Sequence, residues 1–177
     1  IKYNGDLWKI ESFQHVKPGK GPAFVRTKIR NLTTSRILEN TFTAGVKIDI
    51  VRIENRAHQF LYKEGDETFH FMNQKNYEQI SIQKDLINAP EFLKEGSIVD
   101  IMFHAENEQP LSCTLAPNVN LKIVFTEPGE KGNTATNALK PAKTETGVEV
   151  KVPLFINEGD TVKIDTLNGN YIERIKV

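Results

Sequence analysis

Apolar and polar residues alternate along most of the chain, and a period of two is typical of β-strands whose two faces lie in different surroundings. Residues 23 to 30 show the pattern most clearly. Ala23, Val25, Thr27 and Ile29 fall on one face, whereas Phe24, Arg26, Lys28 and Arg30 fall on the other. The same alternation recurs over residues 46–51, 119–125 and 148–154. These runs predict an all-β protein.

Turn signals separate these runs at short intervals, at residues 63–66, 158–160 and 168–170. The Asn168-Gly169 pair predicts a hairpin, since a two-residue type I′ turn needs positive φ at both positions. One short helix is expected near residues 84–93, where Pro90 limits its length. The sequence therefore predicts very little helical structure.

The 177 residues divide most simply into three compact units, 1–51, 52–116 and 117–177. Each unit has the size of a small SH3-like or OB-type β-barrel, and the predicted strand 46–51 ends the first. Because the chain opens on Ile1 rather than Met, we expect residues to precede it. The polar stretch 127–146 predicts a long loop in the third unit, and such loops are usually functional or mobile.

Charge is distributed unevenly although the net charge is zero. Residues 1–51 hold nine Lys or Arg against four Asp or Glu, so the remainder carries a charge of −5. A basic end can contact nucleic acid by counterion release. Chance segregation of surface charge is the alternative.

Catalytic signatures are missing from the sequence. No motif marks Cys113 or any serine as a nucleophile, and the four histidines are scattered without the spacing of metal ligands. Residues 129–134 and 18–22 resemble parts of a phosphate loop but lack its spacing. We expect a protein that is not an enzyme and has neither cofactor nor metal. With a single cysteine and no apolar run of about 18 residues, we also expect a cytoplasmic protein without a membrane partner.

The segment Pro18-Gly19-Lys20-Gly21-Pro22 predicts a stiff hairpin loop that presents one lysine. Glycines on both sides leave the Lys20 side chain uncrowded, and the prolines restrict φ. Lys17 extends the positive charge, and Arg26, Lys28 and Arg30 recur along one strand face, where they can follow a phosphate backbone. An ordinary exposed hairpin with a solvated basic side is the alternative.

Three segments of the chain resemble bacterial elongation factor P. The motif KPGKG at residues 17–21, continuing to residue 28, is similar to the domain I loop of that family. Residues 126–177 resemble the C-terminal signature of the family and include VPLFI at 152–156. HFMN at 70–73, followed by Tyr77-Glu78-Gln79, fits as well, so the resemblance covers essentially the whole chain.

This resemblance implies an L-shaped, tRNA-like arrangement of three β-barrels, an SH3-like (KOW) domain followed by two OB folds. It implies a monomer that binds the bacterial 70S ribosome between the P and E sites, beside peptidyl-tRNA. Lys20 would reach the peptidyl transferase centre, carry an extension added by a lysine-modifying enzyme, and help relieve stalling at consecutive prolines.

Further site residues follow from the same resemblance. Gly132, Asn133 and Thr134 would lie beside the E-site codon, with Asn133 where the family usually has Asp. Tyr171 and Arg174 would face ribosomal RNA or protein. Three other readings stay open: a single-stranded RNA-binding OB protein without a ribosomal role, a family paralogue with altered specificity, and a disfavoured hydrolase or transferase.

Overall fold

The described residues, 1–128 and 138–176 of the computed structural model, form fourteen β-strands and two 3₁₀ turns. The strands are β1 Lys2–Tyr3, β2 Asp6–Val16, β3 Phe24–Asn31, β4 Ile37–Thr43, β5 Ile53–Glu64, β6 Thr68–Asn73, β7 Gln79–Gln83, β8 Ile98–His104, β9 Gln109–Thr114, β10 Asn118–Thr126, β11 Leu139–Thr144, β12 Glu149–Pro153, β13 Thr161–Asp165 and β14 Tyr171–Ile175. The predicted all-β class is confirmed.

Three sheets contain all of these strands. The first has the order β1–β2–β3–β4, the second β7–β6–β5–β8–β9, and the third β12–β11–β10–β13–β14. Neighbouring strands are antiparallel wherever their register is defined, for example β2 with β3 and β10 with β13. Short connections therefore suffice between most neighbours.

Contacts along the chain define two compact units. One comprises Ile1–Arg56 with Ile101–Ser112, and its core includes the buried side chains of Trp8 and Ile29. Trp8 Nε1 donates to the carbonyl oxygen of Tyr3 at 3.1 Å, so the buried indole keeps a polar partner.

The other unit comprises Ala57–Asp100 with Cys113–Val177. Part of its core is an aromatic cluster in which the Phe60 ring lies 5.9 Å from Phe69 and 5.4 Å from Phe71. Val150, Val152 and Ile164 are also buried in this unit. No helix in the described ranges is long and apolar enough to cross a membrane.

The strand predicted over residues 46–51 is wrong. A turn at Gly45, where φ is +85°, directs the chain away from β4, and a single bridge between Asp49 and Lys2 follows. The alternation of Val46, Ile48 and Ile50 is present, but no strand of the described chain pairs with it continuously, and Ile50 is 83% exposed. Periodicity alone does not show whether a neighbouring strand pairs with a segment.

The type I′ turn predicted at Asn168-Gly169 is also wrong, although a hairpin does form there. Five residues, 166–170, join β13 to β14. Gly169 has a φ of +70° and Asn168 has a negative φ. Asp165 Oδ1 accepts the backbone N–H groups of Leu167 at 2.7 Å and of Asn168 at 3.4 Å, which stabilises the longer loop.

The short helix predicted near residues 84–93 is replaced by 3₁₀ turns at Lys84–Leu86 and Pro90–Phe92. Ala89 separates them with a φ of +51°, which no right-handed helix includes. Pro90 then begins the second turn, where its missing N–H costs nothing.

Candidate functional site

The lysine loop occupies residues 17–23, between strands β2 and β3. Pairing of the two strands ends at Val16 and Phe24, so the seven residues between them extend beyond the ladder. The loop is anchored at its base, where Ala44 N–H donates to Ala23 O at 2.9 Å. The strands thus fix the two ends of the loop and leave its centre to solvent.

All six residues predicted to form or present the tip are exposed: Lys17, Pro18, Gly19, Lys20, Gly21 and Pro22. Neither a hydrogen bond nor an ion pair joins the Lys20 ammonium to another described residue. An exposed ammonium without an internal partner keeps its full charge available to a ligand.

The fold restricts the two glycines of the loop to different degrees. Gly21 has a φ of +100°, a conformation that side chains disfavour. Gly19 has no such φ, and a Cβ built on it would meet nothing within 4 Å. The fold therefore requires glycine at 21 but not at 19.

The basic strand face is present in β3 as predicted. Thr27 and Ile29 are buried, whereas Arg26 and Lys28 are exposed. The Arg26 guanidinium carbon lies 5.6 Å from the centre of the Phe24 ring, which holds this cation beside the loop.

Arg30 differs from the other two cations because Glu11 neutralises it. Arg30 Nε donates to Glu11 Oε1 at 2.9 Å, and this hydrogen bond holds the pKa of the Glu11 carboxyl below its ordinary value. A register shift between Ile10 and Ser12 places Glu11 outside the regular pairing. Sequence alternation could not reveal this partner, because a bulge changes which residues face each other.

Tyr171 and Arg174 lie on the same face of β14 although they are three residues apart. Their Cα partners in β13 are Ile164 and Val162, with a register shift between the two pairs. The Arg174 guanidinium lies 5.8 Å from the Phe155 ring centre and 3.7 Å from Asp160. The register shift thus gives the two residues a common strand face, and Arg174 lies there beside Phe155 and Asp160.

The predicted codon-side residues Gly132, Asn133 and Thr134 lie outside the described residues.

Three family models together match most of the chain. The elongation factor P KOW-like domain matches residues 1–48, the elongation factor P OB domain matches 53–113, and the elongation factor P C-terminal domain matches 119–174. The chain belongs to the elongation factor P family. Its membership confirms the resemblance and makes the protein a translation elongation factor.

Relatives named elongation factor P align over nearly the full chain. The protein from Flavobacterium johnsoniae is 57% identical over 99% of this chain and 93% of its own length. The protein from Flavobacterium psychrophilum is 54% identical over 99% of this chain and 94% of its own length. The one from Porphyromonas gingivalis, named elongation factor P 1, is 51% identical over 99% of this chain and 93% of its own length.

A solved structure titled eukaryotic translation initiation factor 5A, from Methanococcus jannaschii, superposes with a TM-score of 0.46 at 21% identity, over 62% of this chain and 83% of that one.

As a member of the elongation factor P family, the present protein acts with the ribosome.

Proposed function

We propose that this protein binds the bacterial 70S ribosome between the P and E sites and uses Lys20 to promote peptide-bond formation at consecutive prolines. The observation that carries the proposal is the exposed Lys20 ammonium, which has no partner among the described residues and lies in a hairpin loop whose base is fixed. Membership of the elongation factor P family supports it.

The proposed mechanism is positioning rather than acid–base catalysis. Proline is a poor substrate because its ring restricts the geometry of attack. A cation that holds the CCA end of the P-site tRNA in a reactive arrangement lowers the entropic cost of reaching the transition state. In this account the protein supplies no general base, and the ribosome performs the chemistry, so the protein is not an enzyme.

Arg26 and Lys28 would contact tRNA or ribosomal RNA phosphates along the strand that leads to the loop. Arg30 would contribute less, because Glu11 already neutralises it. Tyr171 and Arg174 would contact the ribosome from the face of β14 that they share. Gly132, Asn133 and Thr134 would lie beside the E-site codon, where Asn133 brings an amide in place of a carboxylate.

We further propose that the chain has three domains, 1–51, 52–116 and 117–177. Matches of the three family models at 1–48, 53–113 and 119–174 support these boundaries. The protein would act as a monomer in the cytoplasm. The exposed tip would let a lysine-modifying enzyme reach Lys20.

Directed hydroxyl-radical probing tests where the loop binds. Cys113 is 1% exposed, so the variant Lys20→Cys would carry one accessible thiol for attachment of an iron chelate. The proposal predicts cleavage of ribosomal RNA at the peptidyl transferase centre and of P-site tRNA near its CCA end. A matched variant, Leu167→Cys, at a side chain that is 92% exposed, would cleave different nucleotides.

Cleavage scattered over many RNA sites from position 20 would contradict the proposal. It would favour a general single-stranded RNA-binding protein, which has no reason to place this loop at one ribosomal site.

A further inference from the structure

Several hairpins of the chain close with one hydrogen-bond pattern. In the β6–β7 connection, Tyr77 N–H donates to Asn73 O at 3.0 Å, and Asn73 N–H donates to Glu78 O at 2.9 Å. Asn73 Oδ1 also accepts the backbone N–H groups of Lys75 at 2.8 Å and Asn76 at 3.4 Å. Asn73, the last residue of β6, therefore organises the turn that follows it.

The β13–β14 connection repeats this pattern. Gly169 N–H donates to Asp165 O at 2.9 Å, and Asp165 N–H donates to Asn170 O at 2.9 Å. Asp165 Oδ1 accepts two backbone N–H groups in the same way. Gly169 thus occupies the position that Tyr77 occupies in the β6–β7 loop.

The pattern also recurs in the connection from β3 to β4. There Ser35 N–H donates to Asn31 O at 3.0 Å, and Asn31 Oδ1 accepts two further backbone N–H groups. In the three loops the fourth residue after the strand-ending Asn or Asp has positive φ, +58° at Ser35, +61° at Tyr77 and +70° at Gly169. The turn thus demands a left-handed residue at this position and nothing more.

Tyrosine is energetically unfavourable at this position. A bulky residue with positive φ is a backbone outlier, and such strain persists chiefly at functional sites. Burial of the ring offsets little of this backbone strain, because Tyr77 is 70% exposed. Neither a side-chain hydrogen bond nor a ring contact joins Tyr77 to another described side chain. Since the same turn forms around glycine at 169, the fold does not require the aromatic ring.

The surroundings of Tyr77 indicate the partner. Gln74, Lys75 and Asn76 are all exposed, and no ion pair joins Lys75 to a described carboxylate. The Glu78 carboxylate accepts Asn76 Nδ2 at 2.6 Å. The centre of a protein–protein interface is depleted in charged residues, whereas a flat ring beside a cation and amides suits an unpaired base and its phosphate.

We propose that Tyr77 stacks on an unpaired base of ribosome-bound RNA, with Lys75 near the adjoining phosphate. This inference rests on the proposed ribosomal role and adds to it a contact surface on the β6–β7 loop.

Ribosome affinity of Tyr77→Gly is the direct test. Because glycine relieves the positive φ, the variant should fold at least as stably as the wild type. Loss of one stacked base should weaken ribosome binding by roughly fivefold to a hundredfold. Tyr77→Phe, which keeps the ring, should bind like the wild type. Ser35→Gly relieves the equivalent φ without removing an aromatic ring and should also bind normally.

Photo-crosslinking identifies the partner. With a photoreactive phenylalanine analogue at position 77, we expect crosslinks to RNA, and sequencing of the product distinguishes ribosomal RNA from tRNA. A crosslink to a ribosomal protein would overturn the inference, as would unchanged affinity of Tyr77→Gly.

The outcomes also separate this inference from the proposed function. Failure of the wild type itself to bind ribosomes would contradict both. If the wild type binds and Tyr77→Gly binds equally well, only the stacking contact is refuted. Should Tyr77→Gly fold poorly, Tyr77→Asn provides the same comparison, because asparagine tolerates positive φ.

Discussion

Lys94 Nζ lies 2.9 Å from Glu145 Oε1, and the same oxygen accepts the backbone N–H of Lys122 at 2.9 Å. These contacts join segments that are far apart in the sequence within one compact unit. Burial raises the pKa of the Glu145 carboxyl, but the Lys122 N–H and the Lys94 ammonium outweigh burial and hold this pKa below 4.5. Glu145 therefore contributes to stability as an anion.

We predict that Glu145→Gln lowers the free energy of unfolding at pH 7 by roughly 1 kcal/mol. A depressed folded-state pKa gives stability that is present above pH 4.5 and is lost as the pH falls through the folded-state value. Urea unfolding at pH 7 and near pH 3 should therefore show a larger difference at pH 7 than at the lower pH. Glu95→Gln, at an exposed position, serves as the control. If Glu145→Gln lowers the free energy of unfolding equally at both pH values, the negative charge of Glu145 does not contribute to stability.

Arg30 and Lys28 should contribute unequally to ribosome binding, because Glu11 already pairs with Arg30. We predict that Lys28→Ala reduces the slope of log affinity against log salt by roughly one unit, whereas Arg30→Ala changes it less. Glu11→Gln should release the Arg30 charge and steepen the slope. Binding titrations at several salt concentrations measure this, and equal effects at positions 28 and 30 would contradict the unequal roles.

Substitutions at the two loop glycines should separate folding from function. Gly21→Ala places a side chain at a φ of +100° and should cost about 1 kcal/mol of stability. Gly19→Ala meets no neighbour within 4 Å and should leave the melting temperature unchanged. If the tip enters a narrow ribosomal cleft, Gly19→Ala should nevertheless reduce stimulation of proline synthesis. Full activity of a normally folded Gly19→Ala variant would show that the cleft tolerates a methyl group there.

The sequence predicted the fold best where alternation coincided with a paired strand. Thr27 and Ile29 are buried and Arg26 and Lys28 exposed, as the period of two required. It failed over residues 46–51, where the same alternation lacks a continuous partner, because pairing depends on residues distant in the chain. The Arg30–Glu11 pair was hidden for a related reason, since a bulge shifts the register that alternation assumes.

The lysine loop could be predicted from proline and glycine chemistry, because the constraints at residues 18–22 are local. Tyr77 could not be singled out in that way. Its positive φ follows from backbone hydrogen bonds to Asn73, and nothing in the local residue types marks it. The equivalent Gly169 shows that the turn does not demand tyrosine.

The rate at which purified ribosomes synthesise a Pro-Pro-Pro peptide tests the central claim most directly. The comparison includes no factor, the protein from its native source, Lys20→Ala, and Lys47→Ala as a matched exposed lysine in the same unit. We predict that the native protein and Lys47→Ala accelerate synthesis, that Lys20→Ala does not, and that a template without prolines shows little difference. Equal acceleration by Lys20→Ala, or none by the native protein, would contradict the claim that this loop presents Lys20 to the ribosome.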